Sequence, residues 1–176
     1  MKHAPLILVL WSLIVCVAAG ENVYPLTNAP ARIELRDQFD RVRALVFPAT
    51  NLTFLTIADK AGSEQIAAWV TPIKHRFGDA VAIEGIADVS AVPRPLRGLV
   101  RRKFQKAQPH SVMLDWSGDT IKAFAVSPDR ANVFVLDHEG KILKRLTGKA
   151  TDQTVEEVCA ALDLALAEAR KRVASQ

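Results

Sequence analysis

Thiol chemistry would have to come from Cys16 or Cys159, because the 176-residue chain contains no other cysteine. Cys16 lies in an apolar run near the N-terminus, whereas Cys159 falls among Val155, Val158 and Leu162 at helical spacing. An exposed Cys159 could act as a one-cysteine peroxidase or form mixed disulfides. Free cysteine is, however, among the residue types most often buried, so the spacing predicts that Cys159 lies in the core.

A second candidate is the segment that contains Lys60, Ser63 and Glu64. If a helix begins at Ser63, its free backbone N–H groups could hold an anion together with Ser63 and Lys60. The helix itself explains the same residues, because Ser63 would cap the first turn and Glu64 would complement the helix dipole. The sequence favours this second interpretation.

A third candidate is a basic segment between positions 94 and 106, which contains no acidic residue. Its six cations are Arg94, Arg97, Arg101, Arg102, Lys103 and Lys106. At helical spacing Arg97 and Arg101 share one face, which we predict to point into solvent. The apolar residues of the segment are predicted to point inward: Leu96, Leu99, Val100 and Phe104. Such a basic face could bind an acidic protein or an anionic membrane surface, or could simply be solvated.

Other kinds of site find little support in the sequence. The histidines at positions 75, 110 and 138 are scattered, and no cluster has the spacing of metal ligands. No glycine-rich phosphate loop is present, which argues against a dinucleotide cofactor. The formal net charge of +4 is too small to indicate nucleic-acid binding. We therefore predict no metal, no cofactor and no nucleic-acid partner, and the sequence leaves the oligomeric state open.

The N-terminus has the pattern of a secretory signal peptide over residues 1–20. Polar residues at positions 2 and 3 precede an apolar run over 6–17, and Ala18 and Gly20 suit a cut before Glu21. The alternative is an uncleaved anchor, although the run is shorter than the roughly 20 residues of a typical membrane span. Cleavage would leave Cys159 as the single thiol, so the exported protein could form no internal disulfide in an oxidising compartment.

The rest of the chain predicts one α/β domain over residues 31–170, after a loose leader at 21–30 and before a short tail at 171–176. Alternating and continuous apolar runs predict a central mixed sheet flanked by helices, with an N-terminal hairpin. The predicted order is a hairpin at 32–46, a strand at 52–57, a helix at 63–77, a strand at 80–86, a helix at 93–106, a strand at 111–116, a hairpin at 132–146 and a closing helix from Thr151 or Thr154.

Two of these hairpins resemble those of the redoxins, the thioredoxin and peroxiredoxin superfamily that includes the AhpC/TSA-type proteins. Residues 132–142 (NVFVLDHEGKI) resemble the family's TTFLIDxxGKI hairpin, and residues 33–39 (IELRDQF) resemble its N-terminal xLxDQFG hairpin. A closer similarity is to the periplasmic YtfJ-like branch, through residues 86–90, the basic helix, a strand ending in Asp115 and residues 135–137. The resemblance implies a thioredoxin-like fold and a Gram-negative periplasmic location.

The family's redox residues are missing from this sequence. In thioredoxins a Cys-Gly-Pro-Cys turn follows the first core strand, and the resemblance carries these positions onto Ala61, Gly62, Ser63 and Glu64. The family's cis-proline falls on Ala131, where a cis bond would cost roughly 2.5–4 kcal/mol, so we predict a trans bond.

The sequence therefore predicts a redoxin-like domain without thiol–disulfide activity that acts as a binding or scaffolding module in the cell envelope. One alternative is a one-cysteine thiol peroxidase or oxidoreductase that uses Cys159. The other is a small-ligand carrier that uses the pocket left by the missing redox residues.

Overall fold

The computed structural model describes residues 27–174. The predicted signal peptide and most of the predicted leader lie outside these residues. The strands are β1 (Arg32–Asp37), β2 (Val42–Val46), β3 (Leu52–Ala58), β4 (Val81–Asp88), β5 (Met113–Asp115), β6 (Asn132–Leu136) and β7 (Ile142–Thr147). The α-helices are α1 (Lys60–Ser63), α2 (Ile66–Phe77), α3 (Arg97–Ala107), α4 (Asp119–Ala123) and α5 (Asp152–Ala174).

All seven strands form one mixed sheet in the order β2-β1-β5-β4-β3-β6-β7. The central strands β3, β4 and β5 are parallel, and antiparallel pairs flank them on both sides. Every residue of β3 is buried, as expected for a strand covered on both faces. The parallel centre matters for function because the segments that follow β3, β4 and β5 emerge at one edge of the sheet.

The hydrophobic core has a layer on each face of the sheet. On one face, helices α2 and α5 bring Trp69, Ile73 and Leu162 against Phe54. On the other face, Leu55 and Ile57 belong to a cluster that includes Phe124 and the hairpin residues Ile33 and Leu45. Alternate residues of β3 thus serve opposite layers, which follows from the two-residue period of a strand.

A smaller apolar cluster attaches helix α3 to the end of the parallel strands. Val100 and Phe104 pack with Val89 of the loop after β4 and with Leu114 of β5. A 3-10 turn at Arg94–Leu96 leads into the helix. Within the described residues, no helix combines the length and the apolar composition needed to cross a membrane.

Three predicted boundaries were wrong. The helix predicted to begin at Ser63 begins at Lys60, because Asp59 directly after β3 is its N-cap. A second helix begins at Ile66. The end of the predicted loose leader is fixed, since the Ala29 N–H donates to the Gly140 carbonyl at 2.8 Å and Asn28 forms a bridge with Lys141. Helix α5 extends to Ala174, so residues 171–174 are helical and do not form a tail.

Candidate functional site

The turn between β3 and α1 is the place in the fold where the resemblance expects the redox residues. Asp59 is the N-cap of α1, and its Oδ1 accepts a hydrogen bond from the Gly62 N–H at 2.8 Å. Its Oδ2 accepts a second bond from the Asp129 N–H at 2.7 Å, across to the loop that precedes β6. One carboxylate therefore caps the helix and fastens it to the neighbouring loop.

Gly62 is buried because the backbone of that loop lies directly against it. A Cβ atom built on Gly62 would be 2.3 Å from the Arg130 carbonyl oxygen and 3.0 Å from the Ala131 nitrogen. Real Cβ atoms do not come this close to backbone, so position 62 has no room for any side chain. The only cis peptide bond among the described residues is Phe47–Pro48, so the bond before Ala131 is trans, as predicted.

Two amides hold the same loop in place. The Gln65 Oε1 accepts from the Ala131 N–H at 3.2 Å. The buried Asn132 accepts from the Ser127 N–H at 2.9 Å and donates to the carbonyls of Ser127 and Arg130 at 2.9 and 3.0 Å. Side-chain hydrogen bonds within the protein therefore fix this loop on both sides. No local sequence pattern indicated these roles for Gln65 and Asn132.

The predicted site residues lie in and around α1, but they differ in burial. Ala61, Ser63 and Glu64 are exposed, whereas Gly62 and Ala131 are buried and adjacent. Ser63 does not cap the helix, because its hydroxyl donates to the Lys60 carbonyl at 2.6 Å. Because β3 ends at Ala58 and α1 begins at Lys60, Asp59 alone links the strand to the helix. The predicted positions 61–63 lie within α1, and Glu64 is its C-cap.

Cys159 lies in the core between α2 and α5 and is only 2% exposed. Burial raises the pKa of its thiol, and the nearby Arg76 guanidinium offsets only part of this effect. A raised pKa leaves less of the reactive thiolate at neutral pH. The helical spacing correctly predicted this buried position.

The inward and outward faces of helix α3 differ from the prediction. Arg97 is half-buried, its guanidinium lies 5.2 Å from the centre of the Trp116 ring, and it donates to the Trp116 carbonyl at 3.2 Å. Arg101 is also half-buried and forms an ion pair with Asp40 at 3.1 Å. Both arginines therefore attach the helix to the protein, because their long stems can pack while their charged ends reach a partner.

The outward face of this segment combines cations with exposed leucines. Leu96 and Leu99 are 49% and 44% exposed, although they were predicted to point inward. Val100 and Phe104 do pack inward, as predicted. The basic residues that remain on the surface are Arg94, Arg102, Lys103 and Lys106. These four cations and two leucines together are called the basic–leucine face below.

A buried polar network ties the β1–β2 hairpin to the end of α3. Gln38 donates to the carbonyls of Gln108 and His110 at 3.0 and 2.6 Å and accepts from the Val112 N–H at 2.8 Å. Asp37 accepts from the Arg41 backbone and side chain, and from Ser111. Burial raises the pKa of the Asp37 carboxyl, but these hydrogen bonds outweigh burial and the pKa lies below its ordinary value.

Asp115, at the end of β5, is another buried carboxylate whose hydrogen bonds are made within the protein. Its two buried oxygens accept hydrogen bonds from the backbone N–H groups of residues 117, 118, 120 and 121 and from the Ser117 hydroxyl, at 2.8–3.2 Å. This carboxylate organises the turn into α4. Among the described residues, no group of three or more His, Cys, Asp or Glu side chains is placed to hold a metal ion.

Comparison with known proteins gives the fold. No family model and no curated protein matches this chain. Among solved structures, a proposed thiol:disulfide interchange protein, DsbE, from Chlorobium tepidum is similar with a TM-score of 0.60 at 15% identity, over 80% of this chain and 97% of that one. The exposed lipoprotein thioredoxin of Streptococcus pneumoniae is similar with a TM-score of 0.58 at 18% identity, over 72% and 99%.

The peroxidoxin BcpB of Mycobacterium tuberculosis is similar as well, with a TM-score of 0.52 at 18% identity, over 84% of this chain and 97% of that one. The fold is therefore thioredoxin-like, as the two hairpin motifs predicted. At these identities the similarity is one of fold alone, and function has to be argued from the residues at the site.

Proposed function

We propose that this chain is an exported thioredoxin-like domain without thiol–disulfide activity, which acts as a binding module in the cell envelope. The observation that carries the first half is the occupied turn after β3. Residues 59–64 contain the cap Asp59 and the four positions that the resemblance assigns to the redox turn, and none of them is a cysteine. The loop backbone against Gly62 leaves no space for a side chain at that position.

The remaining thiol does not replace this chemistry. Cys159 is 2% exposed and its pKa is raised, whereas a peroxidatic cysteine needs access to peroxide and a lowered pKa. The carrier alternative needs an open pocket beside the turn, where the backbone of Arg130 and Ala131 already lies. The described residues around Cys159 and around the turn therefore favour neither alternative.

The second half of the proposal rests on the basic–leucine face. This face exposes four cations and two large apolar side chains together, and none of the four cations forms an ion pair among the described residues. Export is supported by the signal-like segment over residues 1–20 and by the exposed lipoprotein thioredoxin among the similar structures. We propose the periplasm as the location on the same grounds.

The first half is tested with insulin-disulfide reduction and peroxide consumption, each measured with and without dithiothreitol. The wild-type protein is compared with a Cys159→Ala variant and with a thioredoxin as positive control. We expect the wild-type rate to equal the rate without protein in both assays. Activity that is present in the wild type and absent in Cys159→Ala would overturn the proposal in favour of the one-cysteine enzyme.

A further inference from the structure

We infer that the basic–leucine face of α3 binds an anionic phospholipid surface. This inference rests on the proposed role as a binding module of the cell envelope and names its partner. The first observation is charge. The segment from Arg94 to Ala107 has six cations and no carboxylate, and the ion pairs of the described residues involve only one of the six, Arg101.

The six cations divide by their position on the helix. Arg97 and Arg101 turn inward to Trp116 and Asp40 and hold the helix in place. The four on the outward face have no carboxylate partner among the described residues, so their charge is available to an external anion: Arg94, Arg102, Lys103 and Lys106. A set of four cations near a membrane is enough for appreciable attraction to anionic headgroups.

The second observation is the position of the leucines. Leu96 and Leu99 are about half exposed, and lie in the same segment as the cations. An acidic protein surface would attract the cations but offers no general reason for the leucines. A lipid surface accepts both, because leucines can enter the boundary of the acyl chains while the long basic side chains reach the headgroup phosphates.

A third observation extends the surface beyond the helix. The β1–β2 hairpin tip carries Phe39, which is 39% exposed and has the Arg41 guanidinium 4.8 Å from its ring centre. This tip is fastened to α3, since Gln105 donates to the Gln38 carbonyl at 2.8 Å and Arg101 pairs with Asp40. An aromatic residue beside a basic one, held next to the helix, adds another group of the kind found at membrane interfaces.

The helix is also held rigidly before any partner arrives. The Asp37 and Gln38 network fixes the segment after α3, and the stacked pair of Arg97 and Trp116 fixes its first turn. A surface that is already ordered loses little conformational entropy on binding. The short helix would therefore lie on the bilayer without refolding.

The test is sedimentation with vesicles of pure phosphatidylcholine and with vesicles of equal parts phosphatidylcholine and phosphatidylglycerol. The full chain is exported by an expression host, and the released, processed protein is purified so that residues 6–17 cannot bind lipid. We expect binding to the phosphatidylglycerol vesicles only, and we expect it to weaken as salt is raised, because salt screens surface charges.

Two double variants with the same change of net charge locate the surface. Arg102→Glu with Lys103→Glu should weaken binding by at least roughly 25-fold, since each cation lost near an anionic surface is worth about fivefold. Lys74→Glu with Lys149→Glu changes two exposed lysines outside α3 and should leave binding within about twofold. Equal loss in both pairs would mean that only overall charge matters and would overturn the assignment to α3.

A second comparison isolates the leucines. Leu96→Ser with Leu99→Ser should weaken vesicle binding while keeping its salt dependence, whereas Leu164→Ser, at a residue 63% exposed on α5, should not. Circular dichroism and thermal unfolding check that each variant is folded. Failure of wild-type protein to bind either vesicle would overturn the inference, and an acidic protein would then be the partner to seek. The proposed lack of thiol activity would stand, because the insulin and peroxide assays test it separately.

Discussion

The segments that follow the neighbouring strands β3 and β4 differ in how far their polar groups are bonded within the protein. In the turn after β3, Asp59 accepts bonds from Gly62 and Asp129, and Asn132 satisfies the loop that faces them. On the outer face of α3 and of the 3-10 turn before it, four cations form no ion pair among the described residues and two leucines are exposed. The polar groups of the first segment are bonded within the protein, whereas the second leaves its cations and leucines on the surface.

The difference teaches that two segments of one fold can differ in how fully their polar groups are bonded within the protein. The fold needs the turn to close against the loop before β6, and a carboxylate with a glycine achieves this closure without sulfur. Under the proposed function, this turn contributes to stability and not to thiol chemistry. We expect the exposed cations of α3 to contribute little to stability, because they form no ion pair among the described residues. The predictions below test the two halves of this comparison.

The largest effect is expected for Gly62→Ala. The new methyl group would lie 2.3 Å from the Arg130 carbonyl oxygen, so the loop before β6 must move. We expect a loss of about 3 kcal/mol in the free energy of unfolding, at the upper end of the range for overpacking, measured by urea denaturation. Gly98→Ala on α3 is the matched control. Its Cβ would approach nothing closer than 3.9 Å, and alanine should stabilise the helix by about 0.5–1 kcal/mol. A neutral Gly62→Ala would contradict the closed turn.

Asp37→Asn comes next and tests the anchoring of α3. The buried carboxylate accepts charge-assisted bonds from Arg41, so we expect a loss of about 2 kcal/mol at neutral pH. Because the pKa of Asp37 is lowered in the folded protein, its contribution is complete above the ordinary pKa of about 3.9 and is lost as the pH falls through the folded value.

The difference between wild type and Asp37→Asn should therefore narrow from neutral to strongly acidic pH when urea unfolding is measured across that range. Asp40→Asn provides the control, because its carboxylate is 55% exposed and its ion pairs should be worth less than about 1 kcal/mol. A difference that stays constant down to the lowest pH would show that the charge of Asp37 is not what stabilises the hairpin.

A smaller effect is expected for Asp59→Ala, which removes the cap of α1 and the link to Asp129. The expected loss is about 1 kcal/mol, typical of a helix cap, and Asp59→Asn should recover part of it because an amide oxygen can still accept. Ser63→Ala should change the free energy of unfolding by less than about 0.5 kcal/mol, since its exposed hydroxyl bonds only to the Lys60 carbonyl. A larger loss of unfolding free energy for Ser63→Ala than for Asp59→Ala would mean that Ser63, and not Asp59, caps the helix.

The smallest effect on stability is expected on α3. Arg102→Glu with Lys103→Glu alters two exposed side chains without a described partner, so the free energy of unfolding should stay within about 0.5 kcal/mol of the wild type. Thermal unfolding of the variant measures this directly. A large loss would mean that these cations hold the fold together, and the contrast between the two segments would disappear.

The sequence predicted the fold well where the spacing of apolar residues within a single segment indicates its secondary structure. The alternation in β1 and β2, the apolar run of β3 and the β6–β7 hairpin depend on local spacing and were found. The start of α1 was missed because a four-residue helix has no period to detect, although an Asp directly after a predicted strand is a usable N-cap signal.

The candidate site was harder to predict because its contacts are between distant segments. The approach of Arg130 to Gly62 and the bond from Asp129 to Asp59 join residues about seventy positions apart, which no local pattern records. The inward packing of Val100 and Phe104 was predicted correctly. The positions of Arg97 and Arg101 were not, because their contacts with Trp116 and Asp40 come from other segments of the chain. Asp37 and Gln38 were noticed as part of a motif, but the burial that explains them depends on the chain beyond α3.

The most direct test of the central claim is the rate at which a thiol reagent modifies Cys159 in the folded protein, compared with the rate in the unfolded protein at the same pH. A thiol that is 2% exposed with a raised pKa should react only as the protein opens, so we expect a folded-state rate at least several hundredfold lower. Modification of the folded protein as fast as that of the unfolded chain would contradict the account, because the protein would then have an accessible, reactive sulfur.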